Sequence, residues 1–355
     1  MQEKQTGDQQ PEHKRRKRYS GTHPKHFAEK YKEHDPEKYG DTIAKVISKG
    51  STPAGMHISI MVNEILDFLQ IRPGQTGLDG TLGYGGHTRK MLEELQGSGH
   101  VYSLDIDPIE IVKTEKRLRD AGFGEDIFTP IRQNFANIDL VSAQYGPFDF
   151  CMADLGVSSM QIDNPERGFS YKLDGPLDLR LDPEKGIPAW QRLSQMNRDE
   201  IIGMFVENSD EPYADKIASE ILKRKKKGNM VKTTTDLREA VETALAFLPN
   251  DPEKKDILKK TCQRVFQAIR IDVNSEFEVL DAFLTKLPGI LKSGGRVAIL
   301  TFHSGEDRLV KKAFAQYYKE GIFSEISTDV IRPSAEECKS NPRARSTKMR
   351  WAVKK

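Results

Sequence analysis

Little in this chain points to an extracellular or membrane-bound protein. Cysteine is scarce, with three in 355 residues (Cys151, Cys262 and Cys338) and no Cys-x-x-Cys spacing. That excludes a disulfide framework and a cysteine-held zinc site, and it reads as free thiols in a reducing compartment. No apolar run approaches the roughly 18 residues a membrane helix needs, and the opening MQEKQTGDQQ holds no apolar stretch to act as a secretory signal. A cytoplasmic protein is expected. A strong charge of one sign is missing too, since the net charge is only +2. The bias that exists sits at the ends. The first 50 residues carry 12 Lys and Arg against 8 Asp and Glu, and Arg332 to Lys355 carry eight basic residues against two acidic ones. Basic ends on a near-neutral body hint at a polyanionic partner.

Residues 1–55 also lack a sustained apolar period. They contain the run Lys14-Arg15-Arg16-Lys17-Arg18 and are expected to form a basic, flexible leader, either touching phosphates or simply solvated. Such a run also serves as a nuclear address, but the rest of the chain reads as bacterial and cytosolic. From Met56 a regular alternation begins. Ile58 to Leu69 has helical apolar spacing, stopped by Arg72-Pro73-Gly74, and Thr76 to Asp79 is a short strand. Thr88 to Leu95 reads as a helix and His100 to Ile106 as a second strand. Pro108 opens a further helix, a position where proline is welcome. Phe128 to Ile131 and Phe148 to Ala153 read as strands three and four. Alternation of this kind builds a parallel, doubly wound α/β sheet. From Gln161 to Lys260 the sequence is turn-rich and then helical, with no convincing strand. Strand character resumes at Arg296 to Phe302, after a helix from Phe277 to Leu291. The expected organisation is a core of residues 56–160 and 261–355 interrupted by a mainly helical substrate-recognition insert, residues 161–260, beside the carboxyl edge of the sheet.

The first strand-to-helix turn carries Asp79, Gly80, Gly83, Gly85 and Gly86. Glycines there let the backbone turn tightly and approach a ligand. Asp105 follows Gly85 by 20 residues, where a carboxylate meets ribose hydroxyls. Dinucleotide binding competes, but the third glycine of G-x-G-x-x-G is missing. The strand also ends in Asp79, which would repel a pyrophosphate and suits the cationic amino-acid end of S-adenosyl-L-methionine. Strand four ends in Asp154, so three carboxylates stand at three strand tips. A metal site would want more oxygen ligands and phosphate contacts, and none is expected.

At this point the motifs become specific. DGTLGYGGHT, SLDIDP, ADLGVSSMQID, RGFSYKLDGPLDLRLD, FQAIRIDVNSE, TFHSGEDRLVK and NPRARSTKMR resemble, in order, the bacterial 16S ribosomal RNA cytosine-N4 methyltransferases, the RsmH or MraW family. The resemblance covers Met56 to Lys355. It implies a class I S-adenosylmethionine-dependent methyltransferase fold, Rossmann-like, with an inserted helical domain, and methylation of a cytidine N4 in small-subunit RNA. It further implies cofactor contacts from Gly85, Gly86, His87, Asp105, Phe135, Asp154 and Gln161, beside Asp79 and Gly83 of the loop. Three places depart from the family's usual pattern: His57-Ile58-Ser59-Ile60, Lys260-Thr261-Cys262 and Gly305. They suggest a divergent paralogue whose target nucleotide is less certain than its chemistry.

For the chemistry itself, Asp154 is the expected polar group nearest the substrate amine. His303 is a second candidate, against the plainer reading of a helix N-terminus capped by Ser304 with Asp307 three positions on. Arg167, Phe169, Tyr171 and Arg180 are expected at the substrate entrance, the arginines on phosphate or local carboxylates and the aromatic rings stacking a splayed base. Packing of the same loop on the core explains them equally. Lys223 to Lys227 and the pair Arg343 and Arg345 read as RNA contacts or as solvated surface. The expected partners are 16S ribosomal RNA or the small ribosomal subunit and no membrane, with a homodimer left open. Two other classes compete: a methyltransferase of this fold acting on another RNA, a protein or a small molecule, and a non-catalytic ribosome-assembly factor. Retention of Asp79, Asp105 and Asp154 argues against the latter.

Overall fold

The structure, a computed structural model, describes residues 59–355. The basic leader expected over residues 1–55, with its run Lys14 to Arg18, lies outside the described residues. The first half of the chain alternates strand and helix: α1 (Val62–Leu69), β1 (Thr76–Asp79), α2 (Gly86–Glu94), β2 (His100–Asp105), α3 (Pro108–Asp120), β3 (Phe128–Arg132), α4 (Ile138–Tyr145) and β4 (Phe148–Asp154). A helical stretch follows: α5 (Ser159–Asp163), α6 (Ala189–Gln195), α7 (Arg198–Ser209), α8 (Ala214–Lys226), α9 (Thr234–Ala244) and α10 (Pro252–Asn274). The chain then returns to the sheet with α11 (Glu276–Ile290), β5 (Leu291–Thr301), α12 (Ser304–Lys319), β6 (Phe323–Ile326), α13 (Ala335–Ser340) and β7 (Lys348–Lys354).

These strands form one seven-stranded sheet in the order β3-β2-β1-β4-β5-β7-β6. The first five are parallel, and β7 runs antiparallel to both β5 and β6. This is the Rossmann-like methyltransferase sheet that was expected. The order reverses between β1 and β4, so the carboxyl ends of those strands border the crevice where open α/β sheets bind ligands.

Side chains alternate across the strands and divide the core into two layers. Phe150 and Met152 of β4 and Ala298 and Leu300 of β5 pack with α1, α2 and α3. Their neighbours Cys151, Ala153, Val297 and Ile299 pack with α4, α11 and α12. A third apolar cluster, running from Phe169 to Ile269, belongs to the helical stretch and is centred on residues such as Phe205, Ile217, Leu237 and Val265. That cluster bears on where the insert ends. Helix α10 is continuous across the expected boundary at residue 260, and its buried Cys262, Val265, Phe266 and Ile269 pack with the insert rather than with the sheet.

The strands β6 and β7 were not foreseen, and β7 changes the meaning of the basic C-terminus. Lys348 and Arg350 both reach Asp307 of α12, at 3.0 and 2.7 Å. Lys354 donates to the carbonyls of Pro288 and Leu291. These cations hold the edge of the sheet in place and are not presented to a partner.

Candidate active site

At the tip of β1, Asp79 is completely buried. Its carboxylate accepts the Thr88 hydroxyl at 2.6 Å and the Thr81 amide at 2.9 Å. Burial raises its pKa, with the Thr88 and Thr81 hydrogen bonds opposing that shift. Asp79 does not border the cavity below. It was expected to face the cofactor's ammonium group; instead it ties the glycine loop to α2. Gly85 and Gly86 stand behind the cavity in the same way. Gly85 caps α2 at φ +81°, and a Cβ there would lie 2.6 Å from the Thr114 methyl carbon. A Cβ on Gly86 would lie 1.9 Å from Ser59 Oγ. These two glycines let α2 pack closely on its neighbours, while Gly80, Thr81, Leu82, Gly83 and Tyr84 face the cavity.

That cavity, of about 980 Å³, opens at the carboxyl ends of β1, β2, β4 and β5. On its cofactor side Asp105 accepts the amides of Gly83 and Asp107, each at 2.8 Å. Burial, joined by the charges of Asp107 and Glu110, pushes its carboxyl up to about 7 against those two hydrogen bonds. Each oxygen of the ionised carboxylate keeps a lone pair open to a further donor. Phe135 borders the same cavity, held edge-on against Phe283 at 5.2 Å.

One residue that organises this wall was overlooked in the sequence. Asp107 caps α3 by accepting the Ile109 and Glu110 amides, and its other oxygen accepts Gln161 Nε2 at 2.8 Å and Arg167 Nη1 at 2.7 Å. Its Asp-Pro setting is a helix-start signal. Gln161 therefore lines the cavity with its amide already engaged, since its Oε1 also accepts the Ser158 amide in a capping box. Arg167 was expected at the substrate entrance, but it is buried and does not line the cavity. Besides Asp107, its guanidinium donates to the carbonyls of Arg180 and Leu181 at 3.0 Å, so of the two expected partners, phosphate or a local carboxylate, it takes the carboxylate.

Asp154, at the tip of β4, is set by its amide, which donates to Thr81 Oγ1 at 2.6 Å. Its Oδ2 lies 3.6 Å from His87 Nδ1. His87 Nε2 is 2.9 Å from the Ile60 carbonyl, which can only accept, so that nitrogen carries a proton. Asp154 Oδ1 is buried with no hydrogen-bond partner, and the residue borders the cavity. Burial, followed by the negative charges of Asp79 and Glu306, pushes the Asp154 carboxyl up to about 8.

The opposite wall brings together two motifs that lie far apart in the chain. Arg270 of α10 grips Glu276 with two hydrogen bonds, at 2.7 and 2.8 Å. His303 caps α12 in place of the expected Ser304: its Nδ1 accepts the Glu306 amide and the Glu306 side chain reaches back to the cap. Its Nε2 sits 3.1 Å from Glu306 Oε1, without the alignment of a hydrogen bond. Glu276, His303 and Glu306 offer ligand atoms within 4.8 Å of one another, and the Arg270 guanidinium already supplies positive charge there. His303 borders the cavity, but its capping contacts make it first a structural residue.

The remaining candidates divide. Phe169, Tyr171 and Arg180 border the cavity. Phe169 is mostly buried, and Tyr171 meets Phe266 edge-on at 6.1 Å. Arg180 is clamped by Asp178 through two nitrogens, at 2.7 and 2.8 Å. Arg343 and Arg345 also reach the cavity. Arg343 bonds Ser159 and Asp163 of α5, whereas Arg345 is exposed and, among the described residues, donates to the Cys338 carbonyl alone, at 3.4 Å. The run Lys223 to Lys227 is not on the cavity: Lys223 and Arg224 pair with Glu220, and Lys225 reaches the Ser194 carbonyl.

Residues 54–355 match the sequence model of the MraW methylase family. Among curated proteins, "Ribosomal RNA small subunit methyltransferase H 1" of Lachnoclostridium phytofermentans is 66% identical over 349 residues, covering 98% of this chain and 95% of that protein. The protein of the same description from Agathobacter rectalis is 66% identical over 346 residues, covering 98% of this chain and 99% of that one. "Ribosomal RNA small subunit methyltransferase H" of Carboxydothermus hydrogenoformans is 37% identical over 315 residues, covering 84% of this chain and 97% of that protein.

Proposed function

The chain belongs to the MraW methylase family, and from that premise we propose that it methylates the exocyclic N4 amine of a cytidine in small-subunit (16S) ribosomal RNA. S-adenosyl-L-methionine is the methyl donor, and the residues present fit it. Asp105 offers lone pairs at the tip of β2, Phe135 an aromatic surface, and Asp154 a buried oxygen without a partner. When bound, this cofactor supplies an electrophilic methyl group on a cationic sulfur. Asp105 would hold its ribose hydroxyls, Phe135 would pack on its adenine, and His87, Gln161 and the Gly83 turn would shape the space between them.

The observation that carries the reading is the place of Asp154 on the cavity wall, with a buried Oδ1 that has no hydrogen-bond partner. A cytosine amine is a poor nucleophile because its lone pair is delocalised into the ring. It needs a group that orients it and takes a proton as the N–C bond forms. Asp154 stands at the strand tip where that proton must go, and the fixed position of its neighbours supplies the alignment that displacement requires. The positive charge of the cofactor favours the ionised, accepting form of this carboxyl. Phe169, Tyr171, Arg180, Arg343 and Arg345 line the substrate side of the cavity. The structural division we propose is a core of residues 59–160 and 275–355 around an insert closing at Asn274. No described helix is long and apolar enough to cross a membrane.

The higher-identity relatives carry numbered descriptions, "H 1" and "H 2", and align over 96 to 98% of this chain. The unnumbered relatives at 35 to 37% identity align over 84%, a share that residues 57–355 alone would fill. This supports placing the chain among the numbered paralogues. Deletion of the gene, followed by mass spectrometry of nuclease fragments of small-subunit RNA, tests the substrate. One N4-methyl group should disappear and return on re-expression. An unchanged ribosomal RNA profile would move the target to another RNA or a protein.

A further inference from the structure

Helix α10 borders the cavity along one face for most of its length. Lys259, Gln263, Phe266, Gln267, Arg270 and Asn274 all line it, and their three- and four-residue spacing is that of one side of an α-helix. From Lys259 to Asn274 this side measures about 22 Å at the helical rise per residue. The cavity of about 980 Å³ stands at the top of the roughly 300–1,000 Å³ of clefts that hold a single ligand. Methyl transfer at Asp154 uses the inner end of the stripe, where Arg270 meets Glu276. It leaves the outer half without an occupant.

The chemistry of that outer half is graded along the helix. Beyond Arg270 come two amides: Gln267, whose Nε2 donates to the Asn208 carbonyl at 3.2 Å, and the exposed Gln263. Beside them Tyr171, half-buried, meets Phe266 in an edge-to-face contact at 6.1 Å and borders the cavity. At the far end Lys259 is exposed and makes no hydrogen bond or ion pair among the described residues. The adjacent Lys260 points elsewhere: it pairs with Asp256 at 2.8 Å and does not line the cavity. An aromatic face, two amides and then a cation make up the composition of single-stranded nucleic-acid sites. There a ring stacks a base, polar side chains meet its edge and a lysine takes the phosphate.

Resting on the reading that the substrate is RNA, we propose that the outer half of α10 is a subsite for a nucleotide flanking the target. Tyr171 is its stacking platform, Gln263 and Gln267 face its base edge, and Lys259 holds its phosphate. The insert then reads the context of the target in an unpaired strand while the sheet performs the chemistry.

The test uses the full-length protein, two exposed-site variants on adjacent residues of one helix, and two assays. Lys259→Glu should raise KM for small subunits from a gene-deleted strain about tenfold, with kcat and S-adenosylmethionine affinity held within about twofold, and should lower the salt slope of RNA binding by about one. Lys260→Glu should do neither. The same contrast should hold in fluorescence anisotropy with a single-stranded octaribonucleotide carrying one central cytidine. Changing the base beside that cytidine should alter wild-type affinity, and Gln263→Ala should flatten the difference. If the two lysine variants bind octamer and subunits alike, or if the neighbouring base has no effect on wild-type binding, the subsite is wrong. Octamer binding that depends on Lys259 while no cytidine is methylated would instead overturn the proposed reaction and leave the subsite standing.

Discussion

Arg167 and Asp107 form an ion pair of 2.7 Å in which the arginine side chain is 8% exposed and the aspartate not at all. Asp107 caps the helix that follows β2, two residues beyond Asp105 at the strand tip, and Arg167 lies at the start of the insert. The pair therefore fastens the insert to the cofactor side of the sheet. The Arg180 and Leu181 carbonyls accept from Arg167 Nη2.

Removing one partner of such a pair strands a buried charge. Arg167→Ala should cost about 3–5 kcal/mol of stability. Arg167→Lys should recover part of this, because an ammonium can meet Asp107 but cannot match the planar fork that also reaches two carbonyls. Urea unfolding of the three proteins measures it; a loss below about 1 kcal/mol for the alanine variant would mean that the pair does not hold the insert.

Asp154→Asn keeps the shape and removes the proton acceptor. Its kcat should fall by about 10²–10⁴-fold. In the unliganded protein the carboxyl is raised to about 8, so kcat/KM should rise with pH through that region and level off above it. The limb in kcat should lie at lower pH, because bound cofactor adds positive charge beside the group. The asparagine variant should lack the limb. A variant with wild-type turnover would remove Asp154 from the chemistry.

The same carboxyl sets a stability dependence of the opposite kind to an ordinary ion-paired aspartate. Its folded pKa, about 8, lies above its usual value of 3.8, so the folded state holds a proton that the unfolded state has released between those limits. Wild-type stability must therefore decline through this group as pH rises from about 4 to about 8. Asp154→Asn escapes that decline. Its melting temperature relative to wild type should climb across this window, by about 2 °C or more at the upper end. A constant difference from pH 5 to pH 8 would contradict the assignment of burial as the cause.

The basic C-terminus should separate into two behaviours. Arg350 is 7% exposed and bonded to Asp307 at 2.7 Å, so Arg350→Ala should destabilise the fold by about 3–5 kcal/mol. Arg345 is exposed on the cavity rim; Arg345→Ala should change stability by less than about 0.5 kcal/mol and raise KM for RNA. Thermal melts and methyl-transfer kinetics on the pair of variants check this. Equal stability losses would mean that both arginines are structural.

Much of this architecture was legible in local pattern. Five strands end within one residue of where alternation and turn residues put them, and Asp79, Asp105 and Asp154 all fall at strand tips. The edge strand β7 had a signal that its charge concealed. Met349, Trp351 and Val353 alternate with Lys348, Arg350 and Ala352, the period of a strand. The end of the insert was obscured for a different reason. α10 is a single helix whose apolar side serves one core and whose polar side lines the cavity, so no break in composition marks residue 260.

By itself, then, the sequence determined the succession of the first five strands, the crevice at their carboxyl ends and the kind of ligand suited to it, because turns, periods and glycine loops act over a few residues. Tertiary structure alone decided which way each functional group faces. Asp79 turns into the loop while Asp105 and Asp154 turn to the cavity. Arg167 is spent on Asp107, 60 residues away, and the buried Arg350 on Asp307, 43 residues away. A buried charge must find its partner wherever the fold brings one, and contacts at that separation leave no local period to read.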